Sequence, residues 1–391
     1  MTSSSTESHR IVIVGGGISG LSIAIRLRQA GFPVALLEAS QLGFGASTRN
    51  QGWLYSGGWF APKNADLARQ CYRSLEQTIH YCPDCVEPDH AGMFYILADD
   101  AEPSESWTAA WSQAGIPFEV LETEAVLEAI PHFSEAHIQA AWRLPDLAIR
   151  TDLLLRRLAQ TAQAAGVVVV TGSTVAGLLK SHNNVRGVIA AGGEEHAASL
   201  VILATGGDPG LWSDSSHEQA GQQASFELVN LKTQLMAVEP GLCPQPFCLL
   251  DRQGFNHVPH AATSIFGSNR WKVVSRPHDV TVDPEETERM TQSLAELLPT
   301  WDYSQAEVVE WAGTSVQAMH LEQIEPGRAT LPTVIVHETE PVGLKNLLSV
   351  FPGRASLWPQ LAEMTLAAVQ AKHDAAGPQI ATPPWMSKTK E

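Results

Sequence analysis

Six residues near the N-terminus, Gly15 to Gly20, carry the sharpest chemical signal in the sequence. They read GGGISG and satisfy the pattern G-x-G-x-x-G directly after the apolar run IVIV at residues 11–14. Glycines at those positions allow a tight turn and let the backbone approach a pyrophosphate, whose charge the N-terminus of the next helix stabilises. Glu38 lies 18 residues beyond Gly20, where a carboxylate accepts hydrogen bonds from ribose hydroxyls. The sequence therefore predicts a dinucleotide-binding site.

A strand–helix–strand unit is needed to hold those residues in place. The run at residues 11–14 is continuous and β-branched, which is typical of a strand buried on both faces of a parallel sheet. Ile18, Leu21 and Ile25 then recur at helical spacing, and residues 34–37, VALL, form a second short apolar run that ends before Glu38. These elements predict a βαβ unit of ordinary length.

The rest of the chain divides into two kinds of pattern. The α/β pattern continues in a helix at 153–165, strands at 167–170, 200–204 and 347–350, and a helix from about residue 357. Between residues 222 and 311 the strand candidates are short and separated, which favours a mostly antiparallel sheet. The alternation of the two patterns predicts two domains that are joined by several chain crossings.

Composition restricts the possible partners and the compartment. The chain has 25 Lys+Arg against 42 Asp+Glu, a net charge of −17, and residues 74–142 hold 13 acidic residues without one Lys or Arg. Such a chain repels phosphate backbones, which argues against nucleic acid as a partner. Five cysteines are too few for a disulfide framework. The sequence contains no run of about 18 apolar residues, so it predicts no membrane span. We expect a cytoplasmic protein, with peripheral membrane attachment left open and the oligomeric state unknown.

Cys82 and Cys85 have the CxxC spacing of some zinc and redox sites, with His80 and His90 nearby. A closed zinc site needs four ligands and one CxxC supplies two. We therefore predict ordinary thiols and no bound metal.

A second glycine-containing turn identifies the dinucleotide. Residues 201–207, VILATGG, form an apolar strand that ends in Ala-Thr-Gly. At this point the sequence resembles the flavoproteins in which FAD lies extended across a Rossmann-like domain. Within them it resembles the D-amino acid oxidase and glycine oxidase group, which also includes sarcosine oxidases, D-amino acid dehydrogenases and glycerol 3-phosphate dehydrogenases. The segments that carry this resemblance are GASTRNQG at 45–52, residues 146–152 with the helix that follows and Gly166-Val167, WAG at 311–313 and NLLSVFPGRA at 346–355.

The resemblance implies non-covalent FAD and a set of contact residues. The N-terminal unit would contribute Gly15, Gly17, Ile18, Ser19, Gly20, Glu38 and Ala39. The following loop would contribute Ser47, Thr48, Arg49, Asn50, Gln51 and Gly52. The later segments would contribute Val175, Ala204, Thr205, Gly206, Gly353, Arg354 and Ala355.

The resemblance also implies a fold and a division into domains. We predict an α/β protein with a Rossmann-like FAD-binding domain of the glutathione-reductase type, interleaved with a mostly antiparallel α+β substrate domain. The FAD-binding domain is predicted to comprise residues 10–85, 145–222 and 312–391. The substrate domain is predicted to comprise residues 86–144 and 223–311, and residues 1–9 to be a disordered N-terminus.

Two departures from the group concern the substrate. Members that act on amino acids often follow the Trp-x-Gly turn with an Arg-Pro pair that binds the substrate carboxylate, but in this chain residues 314–317 read TSVQ. The C-terminal turn reads Pro352-Gly353-Arg354 in place of a Gly-His-Gly-like sequence. Arg354 could stabilise the reduced flavin, reach the substrate or lie at the surface. Catalytic residues stay unknown, and the pocket candidates are Arg354, Arg49, Tyr55 and Arg270.

The group's chemistry supplies the expected reaction. A hydride passes from a substrate C–H to flavin N5, which leaves an imine that water hydrolyses, and oxygen or a quinone reoxidises the flavin. We therefore predict oxidation of the C–N bond of a small amine or amino acid. The alternatives are a C–O dehydrogenase of the glycerol 3-phosphate or 2-hydroxy acid type, for which Arg252, Arg270, Lys272 and Arg276 could bind a phosphate, and a non-catalytic flavin-binding accessory protein. The acidic stretch and the missing arginine slightly favour amines or neutral amino compounds.

Overall fold

A computed structural model gives the fold of the chain. The structure describes residues 10–88, 91–98, 104–206, 211, 226–250, 254–268, 270–276, 278–320, 331–339 and 343–375. The predicted disordered segment 1–9, Arg252 and His90 lie outside these ranges. Within these ranges, no helix is both long and apolar enough to cross a membrane.

The described residues form α-helices and β-strands that are numbered in chain order. The helices are α1 Ile18–Gln29, α2 Ala65–Tyr81, α3 Ser104–Ala114, α4 Thr123–Ala129, α5 Thr151–Ala164, α6 Pro284–Leu297 and α7 Trp358–Ala375. The first strands are β1 Ile11–Val14, β2 Val34–Leu37, β3 Trp53–Leu54, β4 Met93–Leu97, β5 Glu119–Leu121, β6 Ala140–Leu144, β7 Leu147–Ala148, β8 Val168–Val170, β9 Val175–Ser181 and β10 Asn184–Ala190. The remaining strands are β11 Glu195–Ala197, β12 Leu200–Leu203, β13 Phe226–Glu239, β14 Phe247–Leu249, β15 Asn256–His260, β16 Thr263–Gly267, β17 Lys272–Val274, β18 Glu307–His320, β19 Thr333–Val336 and β20 Leu347–Phe351.

A six-stranded sheet in the order β19-β20-β12-β1-β2-β8 forms the first half of the fold. All neighbours are parallel except β19 and β20. One face of this sheet packs on α1, α5 and α7, and the other face packs on the antiparallel sheet β11-β10-β9. Because both faces are covered, its strands are apolar at every position in the runs at residues 11–14 and 34–37. The predicted Rossmann-like half is thus confirmed.

A second large sheet in the order β17-β13-β16-β15-β14-β4-β6-β5 forms the other half, and β18 pairs with β13 along its whole length. Its neighbours are antiparallel except β4 and β14. One face packs on α6 and α4, and the opposite face carries Tyr95, Trp142 and Cys248 toward the first half of the fold. This confirms that the second half is mostly antiparallel, as predicted; its assignment to the substrate stays a prediction.

Helix α6 was not predicted, because it lies inside the region expected to hold only short strands. Its start has a clear signal, since Pro284 occupies the first turn and the carboxylate of Asp283 accepts a hydrogen bond from the Glu285 N–H at 3.1 Å. Met290 and Leu294 then bury one face of the helix against the sheet. Charged residues outnumber the apolar ones in this helix, which weakens its periodic signal.

The predicted domain bounds remain a proposal. The division at residue 312 falls inside β18, which is continuous and pairs with β13 from Glu307 to His320. Cys82 and Cys85 are both buried in the core beside α1 and α5.

Candidate active site

The glycine turn between β1 and α1 is built so that side chains cannot fit. Gly15 has a φ of +110°, and a Cβ there would overlap the carbonyl oxygen of Ala204, which follows β12. A Cβ on Gly20 would overlap the carbonyl oxygen of Gly15. Helix α1 begins after Gly17, which offers no capping side chain, and its first turn has no acidic residue. This turn therefore presents backbone and helix dipole to an anion, as a pyrophosphate requires.

Glu38 is held at the end of β2 by two backbone N–H groups. Gly16 donates to one carboxylate oxygen at 2.7 Å and Ser40 donates to the other at 2.8 Å. The chain after β8 runs alongside, since the Ser173 N–H donates to the carbonyl oxygen of Glu38 at 2.9 Å, and β9 begins at Val175. The structure thus brings Ala204, Glu38 and the start of β9 around one turn.

The loop at residues 45–52 packs on the start of α1. The Ile18 N–H donates to the hydroxyl of Ser47 at 3.1 Å. Within the loop, the amide oxygen of Asn50 accepts from the Gly52 N–H at 2.8 Å and from the hydroxyl of Thr151 at 3.1 Å. These bonds order the loop that the sequence predicts to lie on the flavin side.

A cavity of about 430 Å³ opens beside this loop. It is lined by Thr48, Arg49, Val280, Trp311 and Ala312. The indole N–H of Trp311 donates to the carbonyl oxygen of Arg49 at 3.2 Å, so the loop is tied to β18 of the second sheet. The cavity therefore lies where the two halves of the fold meet.

Arg354 is the cation at the centre of an aromatic enclosure. Its guanidinium carbon lies 4.9 Å from the ring centroids of Phe60 and Trp271 and 5.8 Å from that of Tyr55. Its Nε and Nη2 atoms are buried without a hydrogen-bond partner. Two buried N–H-bearing nitrogens without acceptors are costly unless a ligand supplies the acceptors.

Asp146 holds the residues that pack beside Tyr55. One carboxylate oxygen, Oδ1, accepts from the Trp53 indole at 2.9 Å, the Ser56 N–H at 3.0 Å and the Tyr95 hydroxyl at 3.0 Å. The other oxygen, Oδ2, is buried without a partner. Burial raises the pKa of Asp146, although these three hydrogen bonds oppose the rise. Trp53 in turn stacks on Tyr55 with ring centroids 4.1 Å apart, so Asp146 fixes one side of the enclosure.

His260 joins the loop at residues 45–52 to the second sheet. Its Nδ1 lies 2.9 Å from a carboxylate oxygen of Glu87, and its Nε2 lies 2.8 Å from the carbonyl oxygen of Gln51. Both contacts are hydrogen bonds when the ring carries two protons, which makes the contact with Glu87 an ion pair. A Cβ on Gly52 would meet the same imidazole ring.

Of the four pocket candidates, Arg354 and Tyr55 come together, and Arg49 lines the cavity beside the loop at residues 45–52. Arg270 does not join them, because its exposed side chain lies 3.7 Å from Glu286. Lys272 is likewise exposed and bonded to Asp283 at 2.9 Å. The predicted cluster of phosphate-binding cations is therefore not formed by Arg270 and Lys272.

Two residues of the site, Asp146 and Glu87, were not predicted from the sequence. The local signal for Asp146 is weak: it is an acid two residues after the end of the mostly apolar strand β6, in the run Leu144-Pro145-Asp146. Its partners Trp53 and Tyr95 are 93 and 51 residues away in the chain, so their convergence depends on the fold.

Comparisons with known proteins agree with this geometry. The family model described as FAD dependent oxidoreductase (DAO) matches residues 10–339, and the chain belongs to this family, whose cofactor is FAD. It is 28% identical over 315 residues to subunit A1 of the anaerobic glycerol-3-phosphate dehydrogenase of Haloferax volcanii, covering 75% of this chain and 51% of that one. It is 25% identical over 316 residues to a glycine oxidase of Pseudomonas aeruginosa, covering 78% and 82%. The chain spans about half the length, or less, of the first curated relatives it matches.

Solved structures show the same fold. The L-proline dehydrogenase of P. horikoshii superposes with a TM-score of 0.72 at 19% identity, over 93% of this chain and 94% of that one. At that identity the likeness concerns the fold alone.

The residues present fit FAD. Gly15 and Gly20 let β1, the turn and α1 pack with no side chain between them, which leaves the N-terminus of α1 to face an anion, and backbone N–H groups fix the Glu38 carboxylate at the end of β2, where a ribose is bound in such folds. At the other end of the site, Nε and Nη2 of Arg354 have no acceptor among the described residues. The two ends therefore suit the nucleotide and the reacting part of a flavin site respectively.

Proposed function

We propose that this protein is an FAD-dependent oxidoreductase that oxidises the C–N bond of a small amine or amino acid bearing a carboxylate. The observation that supports the proposal is the unpaired guanidinium of Arg354 within its aromatic enclosure. Family membership supports the redox chemistry, and the geometry at Arg354 supports the substrate class.

A carboxylate satisfies this guanidinium well. Arginine donates two parallel N–H bonds to the two oxygens of a planar carboxylate. No carboxylate of the described chain forms an ion pair with Arg354, and rings cover its faces, so only the edge of the guanidinium is left for a ligand. Arg354 thus supplies the carboxylate-binding arginine that the Arg-Pro pair supplies in group members that act on amino acids. The absence of that pair from this chain therefore no longer favours neutral amino compounds as substrates.

A single arginine such as Arg354 suits a phosphate less well than a carboxylate. Phosphate sites gather several cations or N–H groups, because the ligand carries more charge and has three terminal oxygens. The cations nearest in sequence to Trp271, Arg270 and Lys272, are exposed and paired with Glu286 and Asp283. This arrangement favours a carboxylate over glycerol 3-phosphate.

The residues divide the work of the reaction in a simple way. Bound FAD supplies the hydride acceptor, and oxygen or a quinone is expected to reoxidise it. Arg354 orients the substrate through its carboxylate, while Tyr55, Phe60 and Trp271 exclude water around it. No protein base is needed when the amine binds in its neutral form, because the nitrogen lone pair assists loss of the hydride.

Anaerobic mixing tests the proposal. We expect bleaching of the oxidised flavin band with at least one amino acid or carboxylate-bearing amine, and none with glycerol 3-phosphate. The variant Arg354→Met should raise KM roughly 100-fold, because two charge-assisted hydrogen bonds are lost. Arg270→Met, which removes an exposed arginine beside Trp271, should leave KM unchanged.

The alternatives predict other outcomes. Bleaching by glycerol 3-phosphate or a 2-hydroxy acid, and by no amine, would establish the C–O dehydrogenase instead. Absence of bleaching with all of these compounds would favour the flavin-binding accessory protein.

A further inference from the structure

The imidazole ring of His260 lies between two hydrogen-bond acceptors. Its Nδ1 is 2.9 Å from a carboxylate oxygen of Glu87, and its Nε2 is 2.8 Å from the main-chain carbonyl oxygen of Gln51. A neutral imidazole has a single N–H, so it can donate to one of these acceptors and not to both. The two contacts are hydrogen bonds at the same time only when the ring and the carboxylate hold two protons between them.

This pair of side chains is largely shielded from water. The side chains of His260 and Glu87 are 20% and 8% exposed. The N–H of Glu87 also donates to the carbonyl oxygen of Ala148 at 2.9 Å, which fixes the backbone that carries the carboxylate. A hydrogen bond that is lost in such a site is poorly replaced by water, so losing one proton from the pair weakens the connection it makes.

The bond from His260 determines where the loop at residues 45–52 lies against the second sheet. The start of the loop is held to α1 through the hydroxyl of Ser47. Its later part is held to the second sheet by two bonds to main-chain carbonyl oxygens, one from Trp311 of β18 and one from His260 of β15. The ring and the loop are in close contact, because an ideal Cβ on Gly52 would lie 2.6 Å from the imidazole.

The other charged groups near this ring have partners of their own or face elsewhere. Glu239 of β13 accepts from the hydroxyl of Thr263, the cross-strand neighbour of the ring, at 2.8 Å. Beside the loop, Arg150 lies 3.3 Å from Asp152 in an exposed ion pair, and Arg49 lines the cavity. Among the described charged groups, the carboxylate at Nδ1 is therefore the one bonded to the ring.

We propose that His260 is a positioning residue for the cofactor, an inference that rests on the FAD binding of the proposed function and not on its substrate class. The sequence predicts that the loop at residues 45–52 contacts FAD. The proton that His260 shares with Glu87 holds this loop in place. At low pH both contacts of the ring are made, and as pH rises one proton leaves and one contact is lost. FAD is therefore released more easily at high pH.

The rate of FAD release from the holoenzyme tests this role without turnover. Free flavin fluorescence is followed after dilution into buffers from about pH 5 to about pH 9, a range that spans the titration of histidine side chains. In the unmodified protein, release should be about tenfold faster at the upper end than at the lower end, because one buried hydrogen bond is lost. Glu87→Gln should release FAD slowly throughout, since an amide can donate to Nδ1 and a neutral ring then makes both contacts.

Glu239→Gln is the matched control, because it makes the same acid-to-amide change at a carboxylate that binds a hydroxyl and not the ring. It should keep the rate and the pH dependence of the unmodified protein. His260→Leu should release FAD rapidly over the whole range, and Glu87→Gln decides the question if that variant does not fold. A release rate that does not change with pH in the unmodified protein, or an unchanged pH dependence in Glu87→Gln, would overturn the role of His260. Failure of the proposed function is a separate result, in which FAD is bound but no amine bleaches it.

Discussion

The proposed nucleotide end of the site, around Gly15 to Gly20 and Glu38, and the proposed substrate-facing end, around Arg354, are constructed in opposite ways. At the nucleotide end, the polar groups already have partners, as Glu38 has in Gly16 and Ser40, and Ile18 has in Ser47. At the proposed substrate-facing end, polar atoms of Arg354 and Asp146 are buried without partners among the described residues.

This difference shows which part of the site depends on shape and which depends on a ligand. At the nucleotide end, the backbone around Gly15 and Gly20 is packed too closely to accept a side chain. The charged carboxylate of Glu38 already has hydrogen-bond donors there. The substrate-facing end is a set of side chains that a ligand must complete. Substitutions at the first end should therefore act through steric overlap, and at the second through lost hydrogen bonds and charge.

The largest effect is expected at the glycine turn. Gly20→Ala places a Cβ against the carbonyl oxygen of Gly15, and the strand and helix on either side cannot both move away. We expect destabilisation by about 4 kcal/mol or more and loss of FAD from the purified protein. Denaturant unfolding and the flavin absorbance of the purified protein measure the two effects.

Gly45→Ala is the control for that substitution. Gly45 lies in the neighbouring loop and has no atom within 4 Å of an ideal Cβ. It should retain both stability and FAD. If Gly20→Ala purified with a full complement of FAD, the claim that the turn has no room for a side chain at residue 20 would be wrong.

The next effect is expected at Asp146, on the substrate-facing side. Asp146→Ala leaves the donors of Trp53, Ser56 and Tyr95 without their shared acceptor, and should cost about 3 to 5 kcal/mol of unfolding free energy. Asp146→Asn keeps an acceptor and should cost much less.

The same residue gives a pH signature. Burial raises the folded-state pKa of Asp146, so the folded state holds the proton more tightly than the unfolded state does. Its contribution to stability should therefore decline as pH rises from the unfolded value of about 4 through the raised value. Unfolding free energies of the wild type and Asp146→Asn over this interval should diverge in that direction, and parallel curves would contradict the assignment.

His337, which directly follows β19 in the first half of the fold, should respond to pH in the opposite sense. Burial lowers its pKa from 6.5 to about 4, and its Nε2 lies 2.8 Å from the hydroxyl of Ser349. The folded state therefore resists protonation, and stability should fall by about 3 kcal/mol as pH drops from above 6.5 to about 4. His337→Gln, which cannot titrate, should lack this loss in acid unfolding measurements. An equal loss in both proteins would mean that His337 is not the responsible group.

The contrast between the two ends also explains what the sequence could predict. The strands β1 and β2, the glycine turn and Glu38 lie within one short βαβ unit, so spacing alone locates them. The contact of Arg354 with Tyr55 and the contact between His260 Nδ1 and the Glu87 carboxylate join residues from distant segments, and periodicity contains no information about such contacts.

The smallest effect is expected at Glu38. This residue should contribute to the affinity for FAD but not to the close packing of the turn. Glu38→Ala removes a carboxylate that two backbone N–H groups orient, and with it the acceptor for ribose hydroxyls. We expect the FAD dissociation constant to rise about tenfold, since one or two hydrogen bonds are lost from a large ligand. Fluorescence titration of the apoprotein with FAD measures this change. Glu363→Ala, which removes an exposed acid paired with Arg26, should leave the affinity unchanged. An unaltered dissociation constant for Glu38→Ala would place the ribose elsewhere, while the steric argument at Gly20 would still stand, because the two residues act on different parts of the nucleotide.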